Sequence, residues 1–449
     1  MSESEHHLAT SADPKAIRQR VRTIVQSLNR MRRSEAYWHV GSVVGEVRRV
    51  LEQAWELLRA DDGQQAILVL DAITKAYLST WEQLDDSDGE ASDFFQHLAP
   101  AWTEAMLSVE MPSKERKRWA KRFEEWQEEV GAYGVDEAFQ APQEAALVGW
   151  DDPALQRVLQ RINTDEQEAE DDDPSYYADM LTTARLNILE RRKQFEAYLA
   201  LAKAEEHTAR YVSMLVHLGR VDEALSHAQE YIATTEEVLA FATALEAHGA
   251  HAESLMVAEK GLRLPGDQLA LALWLRDHAA SLGETSLALR VAEIIFREEM
   301  SVDNYRKVAK YAGEHWPEYR ATLLDYVRKK AAYRSAQAVR IFLYEKLLDE
   351  AVAALDPHES HTVVEKVVDA ALQEQQALPW VIQACREQAE YLMNGAKAQY
   401  YYAVRGWLAK ARQAYYALGR EAEWRSYLNE LLQTHRLKHK LVPLLKDLR

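Results

Sequence analysis

Turn-forming residues are scarce in this chain. Of its 449 residues, 16 are Gly and 11 are Pro, whereas the two types together make up about 12% of an average protein. Because so few residues interrupt helices, long helical segments must fill most of the length. The hydrophobic fraction of 47% supplies ample material for a buried core, which excludes intrinsic disorder as the general state.

Cysteines and long apolar runs are missing as well. Cys385 is the single cysteine, so this chain can form neither an internal disulfide nor a zinc site that needs two of its own thiolates. It contains no run of 18 apolar residues, as a membrane-spanning helix requires, and residues 1–15 lack the apolar core of a secretory signal. We therefore expect a cytoplasmic protein with no membrane partner.

The charge is negative overall but unevenly distributed. The net charge of −18 argues against uniform non-specific binding to nucleic acid, whose phosphates would be repelled. Residues 386–449, however, carry twelve Lys or Arg and only six Asp or Glu. An anionic ligand is therefore more compatible with the C-terminal end than with the rest of the chain.

Periodicity and charge runs divide the chain into four parts. Residues 1–13 are polar and lack periodicity, which predicts a disordered tail. Residues 14–164 form an N-terminal helical module that begins with an amphipathic basic helix. The acidic tract DEQEAEDDD cannot bury a core, so residues 165–174 are expected to form a solvated linker or loop. Residues 175–449 form the fourth part.

This fourth part contains a repeat. Three segments begin at Gly219, Gly249 and Gly283, which are 30 and 34 residues apart. Small residues follow each glycine by five and by nine positions, namely Ala224, Ala228, Ser254, Ala258, Ala288 and Ala292. A glycine turn and small residues four apart predict helical hairpins that pack closely. The expected fold is therefore all-α, a TPR-like (tetratricopeptide-like) α-solenoid of helical hairpins preceded by the N-terminal helical module.

Two further segments match the repeat less well. In LLDEAVAAL (residues 347–355), Lys346 stands where the glycine is expected. In LGREAEW (residues 418–424) Gly419 is kept, but Trp424 and Leu428 occupy the small positions. The last hairpin should therefore either pack more openly or cap the array.

Several segments resemble a known family. LDDSDGE (84–90), CREQAEYLM (385–393) with the tyrosines after it, and KHKLVPLL (438–445) resemble the C-terminal helical region of bacterial SWIM zinc finger proteins. The likeness covers residues 40–449 approximately. The family's Cys-x-Cys…Cys-x-His finger is absent, since Cys385 is alone. The resemblance implies a helical scaffold that acts beside SWI/SNF-type ATPases or a separately encoded SWIM finger protein.

Motifs for catalysis are absent. The chain has no GxxxxGK[ST], GxGxxG, GxSxG or HExxH, so the usual signatures of nucleotide binding, ester hydrolysis and zinc proteolysis are missing. We assign no catalytic residue, cofactor or metal and expect a protein that is not an enzyme.

Cys385 is most simply a core residue. The acidic loop DDSDGE lacks oxygen ligands at the end positions of a calcium loop, which favours residues 85–88 as helix-capping groups.

Two histidine pairs and one basic stripe complete the candidates. His435 with His439, and His358 with His361, have spacings that allow a metal, although surface histidines are the simpler interpretation. The basic stripe consists of five residues that lie three or four positions apart and share one helical face: Lys397, Tyr401, Arg405, Leu408 and Arg412. Lys397, Arg405 and Arg412 could neutralise phosphates while Tyr401 stacks. The structural alternative is that tyrosines fill the core while Lys and Arg reach solvent. KRWAKR (117–122) is a second basic candidate.

These observations favour one function and leave another open. The first is a non-catalytic helical-repeat scaffold for protein partners, as an accessory of a bacterial nucleic-acid-processing complex. The alternative is a nucleic-acid-binding subunit that acts through the basic, Tyr-rich C-terminal face. Nucleic acid would then be contacted directly rather than through partners.

Overall fold

A computed structural model describes residues 13–30, 37–160, 178–356, 359–395 and 398–449. These residues form α-helices, short 3₁₀ segments and connecting turns, with no β-strand among them, so the predicted all-α class is confirmed. Among the described helices, none combines the length and the apolar character that crossing a bilayer requires. The predicted tail, apart from Asp13, and the predicted acidic linker at 165–174 lie outside the described residues.

The described helices follow one another along the chain from α1 to α24. Before residue 161 they are α1 (Pro14–Gln26), α2 (Val40–Arg59), α3 (Gly63–Leu78), α4 (Asp93–Ser108), α5 (Ser113–Gly131), α6 (Gln140–Leu147) and α7 (Pro153–Gln160). From residue 178 to 312 they are α8 (Ala178–Arg191), α9 (Phe195–Ala204), α10 (Thr208–His217), α11 (Val221–Tyr231), α12 (Thr235–His248), α13 (His251–Gly261), α14 (Gln268–Ser281), α15 (Thr285–Glu298) and α16 (Val302–Ala312). The remainder are α17 (Trp316–Lys330), α18 (Ser335–Tyr344), α19 (Leu348–Ala353), α20 (His361–Glu374), α21 (Leu378–Asn394), α22 (Tyr401–Ala417), α23 (Glu421–Thr434) and α24 (Val442–Lys446).

The chain divides into two compact units. The first contains residues 1–233 together with 243–250, and the second contains 234–242 together with 251–449. The two halves of α12 therefore belong to different units. Each unit has its own hydrophobic cluster.

In the first unit, the N-terminal helices pack around α3. The helix α3 is apolar on most of its circumference and buries eleven of its residues. The basic helix α1 lies against it through Ile17, Val21 and Val25, which are four residues apart and buried. The amphipathic pattern predicted for α1 is thus confirmed. Lys15, Arg20 and Arg22 are exposed, whereas Arg18 is half-buried and reaches towards α3.

Aromatic side chains fill the core between α4, α5 and the start of α6. Trp102 of α4 is fully buried, and its ring centroid lies 5.1 Å from those of Trp119 and Phe123. The Trp102 indole N–H donates to Thr74 Oγ1 at 2.9 Å, so its one polar atom is satisfied inside the core. This cluster fixes α5 against α4.

From α8 onward the helices are arranged as hairpins. In the first unit α8 packs on α9 and α10 on α11, and in the second α14 packs on α15 and α16 on α17. The pairs α18–α19, α20–α21 and α22–α23 follow in the same way. First helices of successive hairpins also touch one another, since α16 contacts α18, α18 contacts α20 and α20 contacts α22.

One turn geometry recurs between these helices. At Gly219 the backbone φ is +76°, and the next amide, Arg220 N–H, donates to the Leu215 carbonyl at 2.8 Å. This pair of features is a Schellman C-cap. From α8 onward the same bond joins Gln194 to Leu189, His207 to Ala202, Ala250 to Leu245, Glu284 to Ala279, Leu347 to Phe342, Gln376 to Ala371 and Arg420 to Tyr415, at 2.8–3.0 Å. It also closes the turn between α2 and α3, where Asp62 donates to Leu57 at 2.9 Å.

The small residues predicted to lie at helix contacts are buried. Their exposed fractions are 0% for Ala224, Ser254, Ala258 and Ala288, 1% for Ala292 and 9% for Ala228. Ser254 Oγ also donates to the Ala242 carbonyl of α12 at 2.9 Å. Nearby, a Cβ placed on Gly261 would overlap the side chain of Val238. Small side chains thus allow α13 to approach the first half of α12 closely.

The final hairpin is covered by the C-terminal segment. Trp424, which replaces a small residue of the repeat, is fully buried. Its indole N–H donates to the Leu448 carbonyl at 3.2 Å, and α24 contacts both α22 and α23. The C-terminal segment therefore covers Trp424, and the expectation of more open packing is wrong at this position.

Candidate interaction surfaces

In the first unit, three first helices line a groove. Its volume is about 280 Å³, and its walls come from α8, α10 and the second half of α12, with one side chain from α9. Polar groups at its rim are Glu190, Ser213, His217 and His248, while Met214 and two alanines form apolar wall. A concave, partly apolar wall with a few polar groups is the usual character of a ligand-binding site.

Residues of the predicted basic stripe lie in different environments. Lys397 lies outside the described residues. Tyr401 begins α22 and is only 7% exposed, packed in the hydrophobic cluster of the second unit. Arg405 is exposed, and Arg412 is half-buried with its guanidinium 5.2 Å from the centroid of the Tyr416 ring. The Tyr401 ring is therefore not available as a surface for stacking.

An exposed stripe runs beside the predicted one. Tyr402 is 77% and Tyr416 is 41% exposed, and together with Arg405 and Arg412 they lie three, seven and four residues apart on α22. These intervals place the four side chains on one helical face. Tyr402 and Tyr416 were not among the predicted site residues. The signal that could have identified Tyr402 is the buried series Tyr401, Val404, Leu408, Ala411 and Tyr415, which fixes the rotation of the helix.

Other tyrosines and cations of the C-terminal region are held in structural contacts. The Arg386 guanidinium lies 4.0 Å from the centroid of the Tyr427 ring, and the Tyr427 hydroxyl donates to Glu390 Oε1 at 2.8 Å. Burial raises the pKa of Tyr427, and the bond to Glu390 acts in the same direction. Lys410 Nζ lies 2.7 Å from Glu365 Oε1 and 2.6 Å from Asp369 Oδ1. The first set of contacts joins α21 to α23 and the second joins α20 to α22, and together they leave less positive charge free than the sequence count implies.

Cys385 lies in the core, as the sequence predicts. It is fully buried, and desolvation raises the pKa of its thiol to about 12. A thiol in this environment remains protonated at neutral pH and is a poor nucleophile.

The structure describes one of the two histidine pairs and the acidic loop. Helix α23 ends at Thr434, so His435 and His439 follow the helix and do not share a helical face. His435 is buried rather than on the surface. The other pair includes His358, which lies outside the described residues. In the acidic loop, Asp86 Oδ1 accepts the amides of Ala91 and Ser92 at 2.7 and 3.2 Å. These amides precede the first residue of α4, and no side chain caps its N-terminus, so Asp86 orders the loop before α4 rather than capping the helix.

The sequence was compared with protein-family models and with curated proteins, and neither comparison found a match. No protein-family model matches the chain, and no curated protein matches it significantly.

Proposed function

We propose that the hairpins of α8–α23 form a TPR-like α-solenoid, and that the chain is a non-catalytic scaffold for a protein partner. The observation that carries the proposal is the combination of a Schellman turn that recurs between helices with small residues that are buried on α11, α13 and α15. In repeat proteins of this kind, each hairpin packs on its neighbours and the stacked first helices offer an extended binding surface.

The groove of the first unit is the proposed partner surface. It lies on first helices, as the partner surface of stacked hairpins does. Its apolar wall can take an aliphatic side chain of a bound segment, while His217 and His248 provide hydrogen-bonding groups at the rim. We propose a peptide segment of a partner protein as its occupant.

The resemblance to SWIM zinc finger proteins supplies the class of partner. By that resemblance, the chain is an accessory of a bacterial nucleic-acid-processing complex. Its partner is then a SWI/SNF-type ATPase or a separately encoded SWIM finger protein, located in the cytoplasm. Such a partner would provide the zinc finger that this chain, with its lone Cys385, does not have.

A groove variant tests this proposal. Replacing Ser213 and Ala247 by Arg fills the groove, so a partner captured at high salt by the tagged wild-type chain should be lost. The matched control replaces Ser226 and Gln229, which are exposed on α11, by Arg and should retain the partner. Partners are identified by mass spectrometry and confirmed by capture in the reverse direction. Retention of every salt-resistant partner by the groove variant would contradict the proposed surface.

The alternative function is nucleic-acid binding at the C-terminal end. The observation that favours it is the exposed stripe Tyr402, Arg405, Arg412 and Tyr416, in which cations and tyrosine rings alternate on one face. Arginines can neutralise phosphates while exposed rings stack on bases.

Charge reversal tests this alternative. Changing Lys397, Arg405 and Arg412 to Glu should weaken binding of single-stranded oligonucleotides and reduce the salt slope by nearly one unit for each lost phosphate contact. The control changes Lys203, Lys260 and Lys329, which are exposed elsewhere, to Glu. Equal oligonucleotide binding by the two triple variants, measured by fluorescence anisotropy across a salt series, would exclude the C-terminal face.

A further inference from the structure

Three helices of the first unit direct cations at one carboxylate. Asp71 of α3 is 13% exposed and lies 3.4 Å from Arg18 Nη2 of α1, 2.8 Å from Lys75 Nζ and 3.2 Å from Arg122 Nη1 of α5. One negative charge thus faces three positive charges, and the excess is positive. Arg122 is further held by the Trp119 ring, whose centroid is 4.8 Å from its guanidinium.

The positive charge extends along both outer helices from this point. On α1, Lys15, Arg18 and Arg22 follow at intervals of three and four residues, so they share one face. On α5, Lys114, Arg118 and Arg122 follow at intervals of four. Helix α1 contains four basic and no acidic residues, and residues 114–122 contain six basic residues and one acidic residue. Two of these six are paired, Arg116 with Asp151 at 2.9 Å and Lys121 with Glu125 at 3.8 Å, and do not belong to the surface. The name N-terminal basic surface is used below for Asp71 together with seven cations: Lys15, Arg18, Arg22, Lys75, Lys114, Arg118 and Arg122.

This arrangement opposes the stability of the helices that carry it. Lys114 lies in the first turn of α5, where the helix dipole favours acidic residues and disfavours cations. Like charges four residues apart repel, as in the pairs Lys114–Arg118, Arg118–Arg122 and Arg18–Arg22. Local charge that works against the fold is expected at sites that serve a function.

We propose that the N-terminal basic surface binds the phosphate backbone of duplex nucleic acid. Two rows of cations, joined through Asp71, complement a polyanion whose charges are closely and regularly spaced. A duplex fits better than a single strand because α1 contains no aromatic residue and the aromatic side chains of α3 and α5 are buried or half-buried, whereas single-strand binding relies on exposed stacking rings. This surface is separate from the groove and from the C-terminal stripe, so the inference does not depend on either proposal above.

The full-length chain tests the inference in a salt titration with a fluorescently labelled DNA duplex. Replacing Arg22, Lys114 and Arg118, which are exposed and lie outside the Asp71 contacts, by Glu should weaken binding about tenfold or more and lower the salt slope by up to about three units. The control triple variant Lys203→Glu, Lys260→Glu, Lys329→Glu has the same net charge and should bind as the wild type does. A second triple variant, with Gln at the same three positions, keeps the test valid if the Glu variant does not fold.

The single variant Lys114→Glu separates binding from structure. It places an acidic residue in the first turn of α5 and converts a repulsive pair with Arg118 into an attractive one. Its melting temperature should therefore equal or exceed that of the wild type while its affinity for the duplex falls. The inference is overturned if the wild type does not bind the duplex at low salt. It is also overturned if the Glu triple variant and the control triple variant bind the duplex equally. Tighter binding of single-stranded DNA or of polyglutamate than of the duplex would overturn it as well.

Discussion

At the scale of single residues, the turns between helices use the left-handed region even where glycine is absent. Lys193, Glu206, Lys346 and Gln375 have φ values of 57°, 58°, 59° and 55°, and each is followed by the amide that closes a Schellman turn. This conformation costs an L-residue roughly 1–2 kcal/mol. The packing of the two flanking helices must therefore impose the turn on these side chains.

Lys346→Gly should stabilise the protein. Lys346 is exposed, so its removal loses little packing, whereas glycine relieves the strain of the left-handed conformation. We expect a gain of about 1 kcal/mol in the free energy of unfolding, measured by urea denaturation. The reverse change, Gly283→Lys, at an equivalent turn should cost a similar amount. A less stable Lys346→Gly variant would show that this turn is not held under strain.

At the scale of elements, small residues determine how closely the second helices pack. Ala258 and Ser254 of α13 are fully buried, and Gly261 on the same helix is buried as well. Because a packed interface has little free volume, a larger side chain at such a position must displace a neighbouring helix.

Ala258→Phe should destabilise the protein by overpacking. The expected loss in the free energy of unfolding is about 1–3 kcal/mol. The control is Ala240→Phe on α12, where the side chain is exposed and the same ring has room. Thermal unfolding followed by circular dichroism compares the two variants. Equal melting temperatures would mean that Ala258 does not lie at a tight helix contact.

The sequence was sufficient for the hairpins that keep glycine and insufficient for the others. The sequence predicts turns at Gly219, Gly249 and Gly283. Their φ values of 76°, 88° and 80° lie in the left-handed region, which glycine adopts without steric cost. The turns at Lys193 and Glu206 were not predicted, because tertiary packing rather than residue type sets their conformation.

The candidate sites, too, could be predicted from the sequence only in part. The sequence predicted a basic, Tyr-rich end, but it placed Tyr401 on the outer face, whereas Tyr401 is buried and Tyr402 is exposed. Three consecutive tyrosines leave the rotation of the helix undetermined unless the buried series on α22 is used. The cluster around Asp71 was not predicted either, since residues 18, 71 and 122 are brought together only by the packing of three helices.

At the scale of the whole molecule, serial packing has a consequence for stability. In the second unit the helices contact mainly their neighbours in chain order, from α13 with α14 through to α22 with α23. In arrays of this kind, stability is approximately a sum of the stabilities of the repeats and their nearest-neighbour interfaces. A local defect should then loosen its own hairpin and the adjacent ones before it affects distant ones.

Native-state hydrogen exchange of Ala258→Phe, resolved by helix, tests this central claim most directly. The account predicts faster amide exchange in α13 and its neighbour α14, with exchange in α22 and α23 of the same unit unchanged. Slow exchange in the distant helices reports that their hairpins keep their own stability. A uniform acceleration through every helix of the second unit would show a single cooperative core and would contradict the proposed solenoid.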